Sequence, residues 1–222
     1  MGRNARLRKD RAKKRSAAAS QLPPQAPLEA LQQAIEAVGD KFGTDNRCAD
    51  AAALLITVGK YLGYKLEPRP VSLIAAQPSS TDPSLKYEAY IGPAAARTMS
   101  EEERERANKD HLGDGENLGH LVLTCDDPPL LLDPNLRQLR AMGFDAPSLR
   151  AHIHTSRPES GTWYLPIGEL NLELFYILDD EASVLLENFD AAVAAASVEA
   201  RSLAQAVQAG YTAEQIREVA AY

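Results

Sequence analysis

Cys48 stands two residues after Asn46 and three after Asp45, immediately ahead of an apolar run from Ala51 to Val58. Such a run predicts a buried helix with Cys48 in its first turn, capped by Asp45 or Asn46. Unpaired N–H groups and the positive dipole end at that position favour a thiolate. The same N–H groups can hold the oxyanion formed when a thiolate attacks a carbonyl. A cysteine placed there can also be a small packing residue, so the chemistry depends on what faces it. The candidates are His120 and Asp133, at the outer ends of Gly119-His-Leu-Val-Leu-Thr-Cys-Asp-Asp-Pro-Pro-Leu-Leu-Leu-Asp133, which predicts a β-hairpin. An even loop centred between Asp126 and Asp127 sets His120 directly across from Asp133. A loop of Asp126 to Pro129 makes Asn135 the partner and Asp133 the diagonal neighbour. Either register keeps imidazole and carboxylate on one sheet face, whereas an odd loop separates them. A carboxylate behind an imidazole fixes its tautomer and aims the other nitrogen at a nucleophile.

The elements that must position these residues follow from periodicity. Leu28, Leu31, Ile35 and Val38 predict a helix from Pro27 to Gly39, and the apolar run a central helix from Arg47 to Leu62, ended by Gly63. From Tyr64 to Ala76 the period becomes two, predicting a strand interrupted or edged by Pro68 and Pro70. Pro78 to Pro83 reads as a turn and Leu85 to Ile91 as a half-buried strand. Ser100 to Glu103 matches a capping box opening a charged helix to His111, followed by a Gly/Asp loop to Asn117. After the hairpin come a short helix near Pro134 to Met142 and strands at Thr162–Ile167 and Leu172–Leu178. From Asp180 an Ala- and Glu-rich stretch predicts a helix, straight or kinked, to Gln208, a stop at Gly210 and a last helix capped by Thr212 and Gln215. Helices, antiparallel strands, then helices make an α+β arrangement.

These residues resemble transglutaminase-like cysteine enzymes, a superfamily with a papain-like core that includes arylamine N-acetyltransferases and bacterial peptidases. The pieces that carry the resemblance are Asn46-Arg-Cys-Ala-Asp-Ala-Ala-Ala-Leu-Leu, Leu62-Gly-Tyr, Gly119-His-Leu-Val-Leu and Leu131-Leu-Asp-Pro134. It implies a buried helix packed on an antiparallel sheet, with additional C-terminal helices. It also implies Cys48 as nucleophile, His120 as base and then acid, and Asp133 as orienting carboxylate. The implied chemistry is a thioester formed from a peptide, a protein amide or a small acyl donor, resolved by water in a hydrolase or by an amine in a transferase. No aromatic residue stands beside Cys48 or His120, and the side-chain oxyanion candidates are Gln32, Gln33 and Asn46. No cofactor is expected.

Charge divides the chain. Residues 1–16 carry eight Lys and Arg against one acid, leaving sixteen bases and thirty acids in the remainder of the 222 residues. A tail of that kind can meet nucleic acid or an acidic surface, or simply remain solvated. With the uncharged Ala17–Pro27 stretch it predicts a disordered tail and linker over 1–26, a transglutaminase-like domain over 27–180 and a helical extension over 181–222. The competing function is a non-catalytic accessory protein, with the tail on nucleic acid and the C-terminal helices on protein partners. No apolar run is long enough to span a membrane, no signal-like apolar stretch follows the basic start, and two cysteines make no disulfide framework, so a cytoplasmic protein is expected. Cys125 is expected on the face opposite His120 as a packed thiol. His152 and His154 have strand spacing that would suit a metal, but they lack the flanking ligands and read as a surface pair. A zinc held by Cys48, His120 and Asp133 has no independent support. Trp163 and Tyr164 read as core packing or the wall of a cleft. Neither a Walker loop nor a GxGxxG motif is present.

Overall fold

The computed structural model describes residues 22–78, 86–101 and 118–220. The basic tail, the turn expected at 79–83, the body of the charged helix after Ser100 and the loop from 111 to 117 lie outside those residues.

Two helices open the described chain. α1 (Leu28–Phe42) buries Leu31, Ile35, Val38 and Phe42 along one face. It runs past Gly39, where the sequence predicts its end. Gly39 permits a close approach instead: a Cβ there would come within 2.9 Å of the Pro134 carbonyl oxygen and collide with Ser148 Oγ. α2 (Cys48–Tyr61) is buried on every side from Ala51 to Gly59. A helix of that kind needs cover all round, and this explains the C-terminal third of the chain. After a 3-10 turn over Glu181–Leu186, α4 (Phe189–Ala195), α5 (Ser197–Gln208) and α6 (Ala213–Ala220) contribute Phe189, Ala200, Leu203, Ala204, Val207 and Ile216 to the cluster that holds α1 and α2. The described residues from 181 to 220 are therefore part of the same core rather than an appended extension. The helix expected to Gln208, straight or kinked, is divided at Asn188 and Ala196, whereas the cap on α6 is as read: Thr212 and Gln215 exchange side-chain-to-backbone hydrogen bonds of 2.9 and 3.2 Å.

The strands β1 (Leu66–Pro78), β2 (Lys86–Ile91), β3 (His120–Asp126), β4 (Pro129–Asp133), β5 (Leu149–His152), β6 (Thr162–Ile167) and β7 (Leu172–Leu178) form one antiparallel, nearly closed sheet. Its order is β5-β4-β3-β1-β7-β6, with β2 also on β1. β1 is continuous and central despite its prolines. Pro68 and Pro70 pair with Leu123 and Leu121 of β3, whereas β7 joins the other edge only at Val71. The Pro70 carbonyl accepts from Asp179 N at 3.3 Å, so the missing N–H of Pro70 faces that other edge. Short α3 (Pro93–Thr98) and four-residue β5 are too brief to have a readable period.

The sheet separates two cores. Leu121, Leu123, Leu130 and Leu132 face the helices, while Val71, Leu73, Val122, Leu131, Trp163, Leu174 and Tyr176 line the opposite, inner face. The arrangement is α+β. The presumed linker ends firmly: Ala26 N donates to Leu62 O at 2.8 Å, Tyr64 Oη to Ala26 O at 2.5 Å and Gln25 Nε2 to Asp127 O at 2.7 Å. Among the described residues no helix is long and apolar enough to cross a membrane.

Candidate active site

Cys48 is the first residue of α2, preceded by the N-cap Arg47, whose side chain makes no cap. The expected capping by Asp45 or Asn46 does not occur. The Asp45 carbonyl instead accepts from Arg47 N at 2.8 Å and from Asn135 Nδ2 at 3.1 Å, which fixes the turn leading into the helix. Asn46 is exposed. The first-turn N–H groups around Cys48 thus lack a side-chain cap, as a site for a developing oxyanion requires.

The hairpin adopts the second of the two registers. Asp126 pairs with Pro129 and Leu123 with Leu132, so His120 falls opposite Asn135 and Asp133 is its diagonal neighbour. Both side chains share the inner face with Val122 and Leu131. His120 Nε2 lies 2.7 Å from Asp133 Oδ2. Entry into β3 depends on Gly119 at φ +108, where a Cβ would come within 2.5 Å of Ala182 Cβ and 3.0 Å of Val71 O.

Asp133 accepts twice more. Asn135 N donates to Oδ1 at 3.0 Å, and Tyr176 Oη from β7 donates to the same Oδ2 at 3.0 Å. Burial first, then the Asp133 charge and hydrogen bond, hold the Tyr176 phenol well above its ordinary pKa, so it stays a donor. Burial pushes the His120 pKa down. The charge and hydrogen bond of Asp133, with a further contribution from the Cys48 thiol, outweigh burial and push it up to about 10. The second ring nitrogen, Nδ1, lies 2.8 Å from Gln138 Nε2 in the 3-10 turn Leu136–Met142.

The structure joins His120 to Asp133 directly, and the Cys48 thiol at the head of α2 is near enough to raise the His120 pKa. The structure also encloses them: Cys48 is 3% exposed and both partners are fully buried. None of the triad's hydrogen bonds involves Gln32, Gln33 or Asn46. Gln32 is engaged elsewhere, donating to Glu36 at 2.9 Å and accepting from Arg150 at 3.1 Å, and Gln33 is half-buried on α1.

Three polar residues of the site escaped sequence reasoning. Tyr176 carried a signal: alternation along β7 puts it inward with Leu172 and Leu174, and a buried phenol needs an acceptor. Asn135 appeared only as an alternative pairing partner, and Gln138 had no periodic pattern around it. Asn135 is fully buried, and its Oδ1 has no hydrogen-bond partner.

The remaining candidates are structural. Cys125 faces the helical core, opposite His120, donates to Asp127 O at 3.3 Å and is pushed up by burial. His152 and His154 are exposed, and among the described residues no His, Cys, Asp and Glu cluster is placed to hold a metal. Trp163 is buried, with Nε1 donating to Thr155 O at 2.9 Å, whereas Tyr164 is exposed and packs on Phe175 with centroids 4.9 Å apart. No family model, curated protein or solved structure matches this chain.

Proposed function

We propose that this chain is a cysteine-dependent hydrolase or acyl transferase built on a papain- or transglutaminase-like core. The observation that carries the reading is a single imidazole held by Asp133 at 2.7 Å through Nε2 while the Cys48 thiol acts on the same ring from a helix N-terminus. The chain order supports it as well: helix-borne cysteine, histidine opening one strand, aspartate closing the next.

In this mechanism the Cys48 proton passes to His120 Nδ1, and the sulfur attacks the carbonyl carbon of an acyl donor. The carbonyl oxygen becomes an oxyanion that the free N–H groups of the first turn of α2 stabilise. The tetrahedral species collapses as its C–N or C–O bond breaks, and His120 returns the proton to the leaving amine or alcohol. The resulting thioester is resolved by water, releasing an acid, or by an amine, forming a new amide. Asp133 orients the ring throughout. A peptide, a protein amide or a small acyl compound meets these requirements.

Burial of the thiol favours one rival, a non-catalytic protein in which the three residues only pack and pair. Thiol reactivity separates the two, because Cys48 and Cys125 are buried almost equally, at 3% and 2% exposed. Under the enzyme reading iodoacetamide at neutral pH alkylates Cys48 first, and Cys48→Ala abolishes that fast phase while Cys125 remains slow. Equal rates at the two thiols of the folded protein would sink the proposal.

A further inference from the structure

The chain from Asp133 to Gln138 divides its contacts between the His120 ring and the junction of α1 with α2. Asp133 meets the ring at Nε2, 2.7 Å away, and Gln138 lies 2.8 Å from Nδ1. The residues between them reach the helices. The Pro134 carbonyl comes so near to Gly39 that a Cβ there would stand 2.9 Å from its oxygen, and Arg137 pairs with Asp40. Asn135 Nδ2 donates to the Asp45 carbonyl at 3.1 Å, three residues ahead of Cys48. Bonds within the junction are local: Gly43 N to Gly39 O at 2.8 Å, Asp45 N to Phe42 O at 3.0 Å and Arg47 N to Asp45 O at 2.8 Å. They shape the loop without setting its distance from the sheet. The Asn135 bond sets that distance, because Asn135 N is itself held by Asp133 Oδ1 at 3.0 Å. One residue thus grips the carboxylate through its backbone and the approach to Cys48 through its side chain.

The direction of the side-chain bond is fixed, since a carbonyl oxygen only accepts. It leaves Oδ1 of a fully buried amide without a donor. A stranded acceptor offsets what one hydrogen bond contributes to folding, and the Asp45 carbonyl would keep Arg47 N as a donor in any case. An apolar side chain of similar bulk would therefore serve stability as well, and the amide serves placement. We propose that Asn135 is a positioning residue: it holds the start of α2, and with it Cys48, in register with the His120–Asp133 pair. The inference rests on the reading of Cys48 as nucleophile and adds the part that aligns the two halves of that site. No proton moves through Asn135. Its amide fixes the turn at residues 43–47, that turn sets where α2 begins, and Cys48 is the first residue of α2. Asp133 and Cys48 both raise the His120 pKa, and the Cys48 share is what a displaced helix start would lose.

The test is a double-mutant cycle on the full-length protein, with the His120 pKa followed through the imidazole carbon-bound proton resonances. Cys48→Ala alone lowers that pKa by about 0.4 to 1 pH unit, the worth of one hydrogen bond. Asn135→Leu keeps the bulk and the backbone bond to Asp133 but cuts the tie to Asp45, and it lowers the pKa by up to the same amount. Added to Cys48→Ala it lowers the pKa no further, because the contact it disturbs is already gone. Asn135→Ala cuts the same tie with a smaller side chain and gives the same cycle where leucine fails to pack. A shift in Asn135→Leu that persists undiminished beside Cys48→Ala would mean that Asn135 acts on Asp133, and overturns the inference. So does a loss of stability to urea in Asn135→Leu with an unmoved His120 pKa, the mark of a merely structural residue. An unmoved pKa in Cys48→Ala leaves no contact to position and also overturns it. Wild-type iodoacetamide rates at the two thiols judge the nucleophile separately. Equal rates with a non-additive cycle remove the nucleophile and leave Asn135 as the residue that sets the register. Faster labelling of Cys48 with an additive cycle removes the positioning role alone.

Discussion

Asp133 and Asp179 are both buried carboxylates at the ends of strands, and they are held in different ways. Asp179 follows β7 and gathers three segments by hydrogen bonds: Ser72 Oγ at 2.5 Å and Ala94 N at 2.8 Å on Oδ2, Glu181 N at 3.1 Å on Oδ1. These donors tie β1, the start of α3 and the turn after β7 to one point. A hydroxyl and two amides do not titrate near neutral pH, so the knot has one state. Asp133 also accepts a hydroxyl and an amide, but its third donor is an imidazole whose pKa the Cys48 thiol also raises. The two sites differ by one titrating donor. With it, a buried carboxylate can steer a proton; without it, the same group anchors chain segments.

The largest expected effect comes from exchanging each carboxylate for its amide. Asp133→Asn removes the charge that sets the His120 tautomer, and Cys48 alkylation falls by about 10²- to 10⁴-fold, the scale on which an orienting carboxylate acts in related constellations. Asp179→Asn leaves that rate unchanged and lowers unfolding free energy by roughly 2–3 kcal/mol, because charge-assisted hydrogen bonds to buried donors are weakened. Labelling kinetics and urea melts on both variants measure the two effects. A loss of thiol reactivity in Asp179→Asn, or none in Asp133→Asn, would erase the distinction between the sites.

How much of this was legible in the sequence follows the same division. The apolar run of α2 and the alternation of β3 and β4 are local patterns, and they were enough to place Cys48, His120 and Asp133 on the right elements. The cover of α2 was not local. An all-round apolar helix announces that it must be enclosed, but only packing shows that residues beyond 181 do the enclosing. Gly39 and Pro70 misled for a related reason. A glycine reads as a stop and a proline as an interruption, yet their use here is set by Ser148 and by the late arrival of β7, neither adjacent in the chain. Tyr176, Asn135 and Gln138 reach the site from β7, from just past β4 and from an irregular turn. Hydrogen-bond partners across such separations have no period to betray them.

The pH dependence of stability separates the sites next. His120 has its folded pKa raised to about 10, above the ordinary imidazole value of 6.5, so its contribution is complete below 6.5 and is lost as pH rises through about 10. Asp179 runs the other way. Burial raises its pKa, but the Ser72, Ala94 and Glu181 hydrogen bonds with the nearby Arg97 charge hold it below the usual 3.8. Its contribution is present above 3.8 and lost as pH falls through its lower folded value. Denaturation from pH 3 to 10 therefore shows two limbs. Asp133→Asn flattens the alkaline limb alone, and Asp179→Asn the acid limb alone. A variant that flattens both limbs would join the sites into one electrostatic unit.

The smallest expected effect probes the hydroxyl that each site possesses. Tyr176→Phe removes the donor to Asp133 Oδ2 while the ring keeps its place in the inner core, and Ser72→Ala removes the donor to Asp179 Oδ2. On stability the two deletions look alike, each costing about 1 kcal/mol, the net value of a buried hydrogen bond. They part on proton affinity. Without the phenol, the Asp133 oxygen shared with His120 has one fewer donor, and the carboxylate acts more strongly on the imidazole. The His120 pKa therefore rises further in Tyr176→Phe and stays unchanged in Ser72→Ala, followed as the imidazole carbon-bound proton resonances across pH. A shift in Ser72→Ala equal to that in Tyr176→Phe would mean that the sheet transmits charge between the two carboxylates. No shift in Tyr176→Phe would mean that Asp133 holds the ring by its geometry alone.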